Sequence, residues 1–367
     1  GNRLERHDPA TASPAGSFES PWLDERAVIP VIDGHNDTLL AASRDDSDGG
    51  AFLEGGGGHL DLARAREAGL AAGLFAAFVP NEDIDWDEMS ETPPDIEPAR
   101  ARAETFDMLA RLHHWAGESD AFRLVSNSAD LATCLHGDAI GAVPHIEGAE
   151  AVKPDGSNLD LLYAAGIRSI GLVWSRSNAF AHGVPFTHDS SPDTGPGLTP
   201  AGARLVAECE QRGILVDLAH LNEAGFWDVA DQTERPLVVS HSAAHALSPA
   251  ARNLTDEQLD AVAESGGLVG CTFAIPHLRE DGDRDADAPL ATLLDHIEYL
   301  ADRMGPEHVA LGSDFDGATI PDDVGDVTGL QRVLDGLAER GFGRDAREAI
   351  AHGNWQRVLA AWWRDSV

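Results

Sequence analysis

Seven residues whose side chains bind divalent metals each stand at the end of a short apolar run. They are His35 and Asp37 (VIPVIDGHND), Glu147 (GAVPHIEG), His220 (ILVDLAH), His241 (PLVVSHS), and Asp314 with Asp316 (VALGSDFDG). Imidazole and carboxylate are the donors that borderline divalent ions such as zinc prefer. His35 and Asp37 are two apart, and on an extended strand such a pair shares one face and can reach one ion. His145 precedes Glu147 by the same interval, so that run could offer either residue or both. Glu147 is preferred, because the run ends there and Gly148 lets the chain turn away; His145 then supports a ligand or belongs to the core.

Two neighbouring ions need a shared anionic ligand. A carbamylated lysine is one solution, but the only lysine, Lys153, lies in the loop VKPDG, which leaves Glu147 as the expected bridge. His220 and His241 then complete the second ion. Asp314, at its strand end, is placed to take a proton from a metal-bound water and hand it to a leaving amine. Asp316 reads as readily as a turn residue before Gly317. The remaining histidines, His59 and His277 among them, read as ordinary surface or core residues.

Something must carry these residues to one place. Eight apolar runs of strand length occur in order, at 28–33, 73–79, 141–146, 167–174, 214–219, 236–240, 267–273 and 309–314. They are rich in Val, Ile, Leu and Ala, as strands buried on both faces are. Helix-like stretches at 98–117, 199–213 and 255–266 alternate with them. The last two begin with Thr and end in Gly, and Thr255 with Gln258 fits a capping box. Eight β-then-α units predict a distorted TIM (β/α)8 barrel, an α/β fold with its chemistry at the strands' C-terminal ends. A doubly wound sheet would need a glycine-rich phosphate turn after the first strand, and GHNDTLL is not one. The expected organisation is an N-terminal tail (1–27) and one barrel domain (28–367). The loops 80–98 and 181–198 follow the second and fourth runs, so they should rise over the barrel mouth as insertions. GGGG at 55–58 and the charged stretch 278–289 read as further loops.

Composition narrows the partners. The chain has 63 Asp plus Glu against 26 Lys plus Arg, a formal net charge of −37. Such a field disfavours nucleic acid and anionic membranes and opposes compaction unless salt screens it. The surface reads as halophilic. The three cysteines, Cys134, Cys209 and Cys271, have neither zinc-knuckle spacing nor a disulfide pattern. No apolar stretch approaches the ~20 residues of a membrane span, and a cytoplasmic location is expected.

The ordered set DGHND, HIEG, DLAH, SHS, ARN and GSDFDG resembles the renal, or membrane, dipeptidase family of the amidohydrolase superfamily, from about residue 28 to 360. The resemblance implies two zinc ions and hydrolysis of dipeptides, including those with a C-terminal D-residue, by a metal-bridged hydroxide. It implies that His35 and Asp37 hold one ion, Glu147 bridges, His220 and His241 hold the other, and Asp314 shuttles the proton. Arg252, in ARN, matches the arginine that pairs with the substrate carboxylate, a role suited to a guanidinium fork. A homodimer is also frequent in the family. Two departures concern the substrate. Where mammalian members carry a histidine after the fourth run, this chain has Trp174 (LVWSRSN), and Arg176 or His182 stands nearby as a substitute. Where a tyrosine is common after the seventh run, this chain has CTFAIP. The rival expectations are a related amidohydrolase acting on N-acyl amino acids or lactones, and a pseudoenzyme that binds small molecules in the barrel mouth.

Overall fold

A computed structural model describes residues 28–44, 50–82, 92–284 and 287–363; the N-terminal tail expected over 1–27 lies outside the described residues. Nine parallel strands form the centre: β1 (Val31–Asn36), β2 (Leu70–Phe78), β3 (Phe122–Leu124), β4 (Ile140–Glu147), β5 (Ser169–Gly171), β6 (Leu215–Asp217), β7 (Val238–Ser242), β8 (Leu268–Cys271) and β9 (Val309–Leu311). Eight of them close a barrel in the order β1, β2, β4, β5, β6, β7, β8, β9, and β9 returns to β1 through Asp33 and Leu311. Every residue of β1, β2 and β4 is buried, because the interior packing lies on one face and the helices on the other.

Each apolar run became a barrel strand, but the boundaries moved. The first strand starts three residues later than expected, so His35 lies inside it. The fourth run keeps strand pairing only over Ser169–Gly171, which leaves Trp174 in the loop beyond. Strand β3 was not anticipated. It is three residues long, only Phe122 in it is fully buried, and it pairs the first residues of β4 on the edge that β5 takes further along.

The helices start where local chemistry starts them. Pro98 sits at the head of Pro98–Glu118, where its missing N–H costs nothing, and Glu97 caps the backbone of Arg100. Thr199 caps Pro200–Arg212. Thr255 and Gln258 form the full capping box of Asp256–Glu264. The C-terminal helix Asn354–Trp362 docks by its indoles: Trp355 Nε1 donates to Leu311 O at 3.1 Å and Trp362 Nε1 to Pro236 O at 2.9 Å. Trp355 is fully buried, and truncating such a residue to alanine costs about 3–5 kcal/mol.

The barrel is tight around one carbonyl. A Cβ on Gly34 of β1 would collide with Ser240 O and come within 2.6 Å of the Trp355 ring. A Cβ on Gly312, just past β9, would collide with the same Ser240 O and lie 3.1 Å from His241 Cα. Glycine at these two positions lets β1 and β9 close on β7, and that closure brings His35, His241 and Asp314 together.

Candidate metal centre

All five predicted ligands meet at the C-terminal mouth of the barrel, each less than a tenth exposed. Glu147, the last residue of β4, is the hub. Its Oε2 lies 3.6 Å from His35 Nε2 of β1. Its Oε1 lies 2.9 Å from His220 Nε2, after β6, and 3.6 Å from His241 Nε2 of β7. Asp37 Oδ2 is 3.4 Å and Asp314 Oδ1 4.0 Å from His35 Nε2. Two overlapping groups therefore have the spacing of metal ligands, His35 with Glu147 and His241, and His35 with Asp37 and Asp314.

Hydrogen bonding does not satisfy this cluster. Both ring nitrogens of His35 and Oδ1 of Asp37 are buried without a hydrogen-bond partner. Buried polar atoms in native proteins are seldom left so. Hydrogen bonds to serines fix two of the imidazoles through Nδ1. Ser240 Oγ donates to Asp217 Oδ2 at 2.5 Å, so it accepts from His241 Nδ1 at 2.8 Å and leaves the Nε2 lone pair free. Arg252 Nη2 donates to His220 Nε2 at 3.2 Å, which places the His220 proton on Nδ1, 2.8 Å from Ser175 Oγ. The two Nε2 atoms are 3.1 Å apart, and both face Glu147 Oε1. Acceptor facing acceptor is an arrangement that a cation resolves, and ligating histidines characteristically bond a neighbour through the other nitrogen.

The electrostatics point the same way. Burial, with Arg252 and His35 nearby, holds His220 and His241 well below the usual histidine range, so both are neutral as ligands must be. Burial alone would lower His35 too, but the surrounding Glu147, Asp37 and Asp314 carboxylates outweigh it and carry the imidazole up to about 10. Burial raises Glu147 to about 8. Three carboxylates around one imidazole form a site for positive charge.

Backbone conformation aims several of these side chains. His220 (φ 67°), Asp314 (φ 62°) and Asp316 (φ 67°) are left-handed, a conformation that costs non-glycine residues energy and clusters at functional sites. Asp314 N donates to His35 O at 3.0 Å, and Asp37 N to Phe315 O at 2.8 Å, so the ends of β1 and β9 are tied together. Asp316 serves the loops: its carboxylate accepts from His59 N at 2.5 Å and from Thr38 Oγ1 at 2.9 Å. His59, read from the sequence as an ordinary histidine, returns a bond by accepting from Asp316 N at 3.0 Å.

A cavity of about 300 Å³ opens over the cluster. Trp174, Phe78 and Phe186 line one side, with Trp174 packed 4.9 Å from Phe78 and 5.4 Å from Phe186. Arg252 and His277 also line it. Phe186 comes from loop 181–198, as that loop's placement requires. In loop 80–98, residues 83–91 lie outside the described residues, and the described ones are not part of the wall. Arg176 and His182 do not replace the missing histidine. Arg176 is buried against Glu150 at 2.6 Å and Asn81 at 3.1 Å, and His182 Nδ1 is bonded to Ser177 Oγ at 2.9 Å; neither lines the cavity.

Beneath the candidate ligands lies a tier of polar residues that metal-ligand spacing in the sequence does not single out. Asp33 accepts from Ser313 N at 2.7 Å and Ser313 Oγ at 2.8 Å, joining β1 to the end of β9. Asp217 accepts from Ser240 N at 2.8 Å as well as from its hydroxyl. His145 is bonded through Nδ1 to Ser169 at 2.9 Å and supports the core, as expected. A signal was available: each ligand is preceded by a polar residue one to three positions earlier in a run that is otherwise apolar.

Comparison with known proteins gives the geometry a context. The model of the family described as membrane dipeptidase (peptidase family M19) matches residues 26–363. A metallopeptidase of Rhodobacter sphaeroides, crystallised with a phosphinate mimic of the dipeptide L-Ala-D-Ala, is 42% identical; the match covers 92% of this chain and 100% of that one, with TM-score 0.88. A Klebsiella pneumoniae protein from the pqqA 5′ region is 46% identical over 251 residues, 68% of this chain and 92% of its own. The dipeptidase aclJ of Aspergillus oryzae is 30% identical over 361 residues, 94% of this chain and 81% of its own.

Proposed function

The chain belongs to the membrane dipeptidase family, and on that premise we propose that it hydrolyses short dipeptides, including those with a C-terminal D-residue, at a pair of zinc ions. One observation carries the binuclear reading: the two oxygens of Glu147 are divided between His35 on one side and His220 with His241 on the other. His35 and Asp37 would hold one ion and His220 and His241 the other, with Glu147 shared. Bound there, the ions supply an acidified water and a polarised carbonyl.

The chain's own residues do the rest. Asp314, 15% exposed at the cavity floor, is the group that takes the proton and delivers it to the departing amine. Arg252 is buried, its Nη2 anchored on His241 O at 3.0 Å and its Nε without a partner. A free carboxylate at the end of a short substrate fits that guanidinium. Trp174, Phe78 and Phe186 supply an apolar wall for the substrate side chain and exclude water. The cavity is at the small end of ligand pockets, which suits a dipeptide and excludes a long chain. Among the described residues no helix is long and apolar enough to cross a membrane.

Trp174 favours a second reading, hydrolysis of N-acyl amino acids or lactones, because an indole wall accepts an acyl chain. One experiment separates the two. Metal-loaded protein in high salt is offered L-Ala-D-Ala, L-Ala-L-Ala and N-acyl amino acids, with bound zinc counted on the same sample. Two zincs with dipeptide turnover support the proposal; two zincs with turnover of the acyl compounds alone support its rival. Fewer than two ions at saturation refutes the binuclear centre.

A further inference from the structure

Once the candidate ligands, Asp314 and Arg252 have been given roles, one buried polar side chain in the cavity wall has none, while Arg44, Arg284 and Thr319 of the same wall are more exposed. His277 lies in the short helix Ile275–Leu278 after β8 and is 7% exposed. It lines the cavity, and its Nδ1 is buried without a hydrogen-bond partner. An unpartnered buried nitrogen destabilises the fold, so its retention calls for a use.

The residue is otherwise firmly held. Its N–H donates to Ala274 O at 3.0 Å, and its carbonyl accepts from Asn253 Nδ2 at 2.8 Å. Its ring stacks on Phe186, with centroids 5.9 Å apart and planes at 18°. Phe186 in turn meets His220 edge-on at 6.0 Å. His277 is therefore one aromatic ring away from a candidate metal ligand, at the outer wall of the cavity. The clasp from Asn253 also ties it to the neighbour of Arg252, whose Nε is the other unpartnered nitrogen on this wall. Burial, and the charge of Arg252 beside it, keep the imidazole neutral, so it serves as a hydrogen-bonding group and not as a second cation.

A carboxylate offers two oxygens and about four lone-pair sites, more than one guanidinium edge occupies. We propose that His277 is a substrate-positioning residue that shares the substrate's C-terminal carboxylate with Arg252. The inference rests on the dipeptidase reading given above. In this chain it puts a polar contact on the substrate from β8, where the fourth run offers only Trp174.

The test compares wild type with His277→Ala and His277→Gln, using L-Ala-D-Ala, its C-terminal amide and a phosphinate dipeptide mimic. Bound metal and thermal unfolding establish that each variant is folded, and the glutamine variant serves if the alanine variant is not. Loss of one hydrogen bond to a charged group predicts that KM for the dipeptide, and calorimetric Kd for the mimic, rise about tenfold or more. The expected kcat stays within about threefold, and affinity for the amide hardly changes between wild type and His277→Ala. Glutamine restores part of the loss. Equal weakening of acid and amide, unchanged KM, or a loss confined to kcat overturns the proposal alone. A wild type that neither hydrolyses nor binds any dipeptide overturns the dipeptidase reading and this proposal with it.

Discussion

Replacing Glu147 with glutamine tests the centre at its hub. The substitution keeps the shape of the side chain and removes one negative charge that faces His35 on one side and His220 with His241 on the other. Two unit charges about 4 Å apart interact by about 4 kcal/mol at an effective dielectric of ~20. A carboxylate facing a divalent ion contributes at least that much, so each ion should bind about a thousandfold more weakly. Because both ions share this residue, Glu147→Gln should lose metal from both halves, and turnover should fall with it. The fold should not suffer. Glutamine keeps the size of the side chain, and burial already disfavours the charged form of Glu147 in the metal-free protein.

The assay is thermal unfolding with and without zinc, with metal counted by mass spectrometry. Metal that binds only the folded chain raises the unfolding temperature by mass action. Wild type should show a large rise with zinc, Glu147→Gln little or none, while the two metal-free proteins unfold at similar temperatures. His145→Gln, which alters the residue two positions earlier in the same strand, should keep most of the rise. A Glu147→Gln protein that holds two ions with wild-type affinity would refute the bridge. One that loses a single ion would make Glu147 the ligand of one half only.

Asp314→Asn should keep both metals and lose about 10²–10⁴-fold in kcat, the usual scale for a positioned acid–base group; near-full turnover in steady-state assays removes it from the proton path. His296 is held below the usual histidine range by burial; its Nδ1 accepts from Ala244 N at 3.2 Å and its Nε2 donates to Leu278 O at 2.9 Å. A lowered folded pKa means that the unfolded chain binds the proton more tightly, so stability present above about pH 6.5 is lost as pH falls below it. Urea unfolding should therefore show the advantage of wild type over His296→Gln shrinking between pH 7 and 5.5, by at most about 1.4 kcal/mol per unit; a constant advantage refutes it. With a net charge of −37, the unfolding temperature should rise between low and molar potassium chloride, since at 1 M the screening length is about 3 Å. No improvement would reject the halophilic reading.

Much of the fold was legible because burial on both faces leaves continuous apolar runs, and each of the eight runs produced a barrel strand. The helix starts at Thr199 and Thr255 were legible because capping is local chemistry. Strand β3 was not. Its sequence, Phe-Arg-Leu, buries only Phe122, so it carries neither a long run nor an alternation. The candidate ligands stand out because each is a His, Asp or Glu where an apolar run stops. His277 did not, because one histidine after CTFAIP looks like many others, and its significance lies in contacts to Phe186 and Asn253 from distant parts of the chain. Arg176 failed as a substrate candidate for the same reason: its partners Glu150 and Asn81 could not be read from its own loop.

The tier beneath the candidate ligands explains why the site can be built from strand ends at all. Strand ends in a barrel splay, and the strand pairing of β6 with β7 is one pair, Asp217 with Val238, and that of β1 with β9 one pair, Asp33 with Leu311, with single backbone bonds beyond each. At those two short seams a buried carboxylate adds its own ties to the ladder. Asp217 takes the backbone N–H and the hydroxyl of Ser240, and Asp33 takes those of Ser313. Each tie lies within three residues of candidate site groups on both of its strands: His220 and His241 at one seam, His35 and Asp314 at the other. The serine at the first seam also orients His241 through Nδ1, so one carboxylate sets strand position and tautomer together. An apolar replacement at Asp33 or Asp217 could preserve the volume of the barrel interior, yet it would leave the seam's N–H unpaired and the ligand above it free to drift. The polar residues inside these apolar runs are thus part of the candidate metal centre's construction, although none of them is proposed to touch a metal.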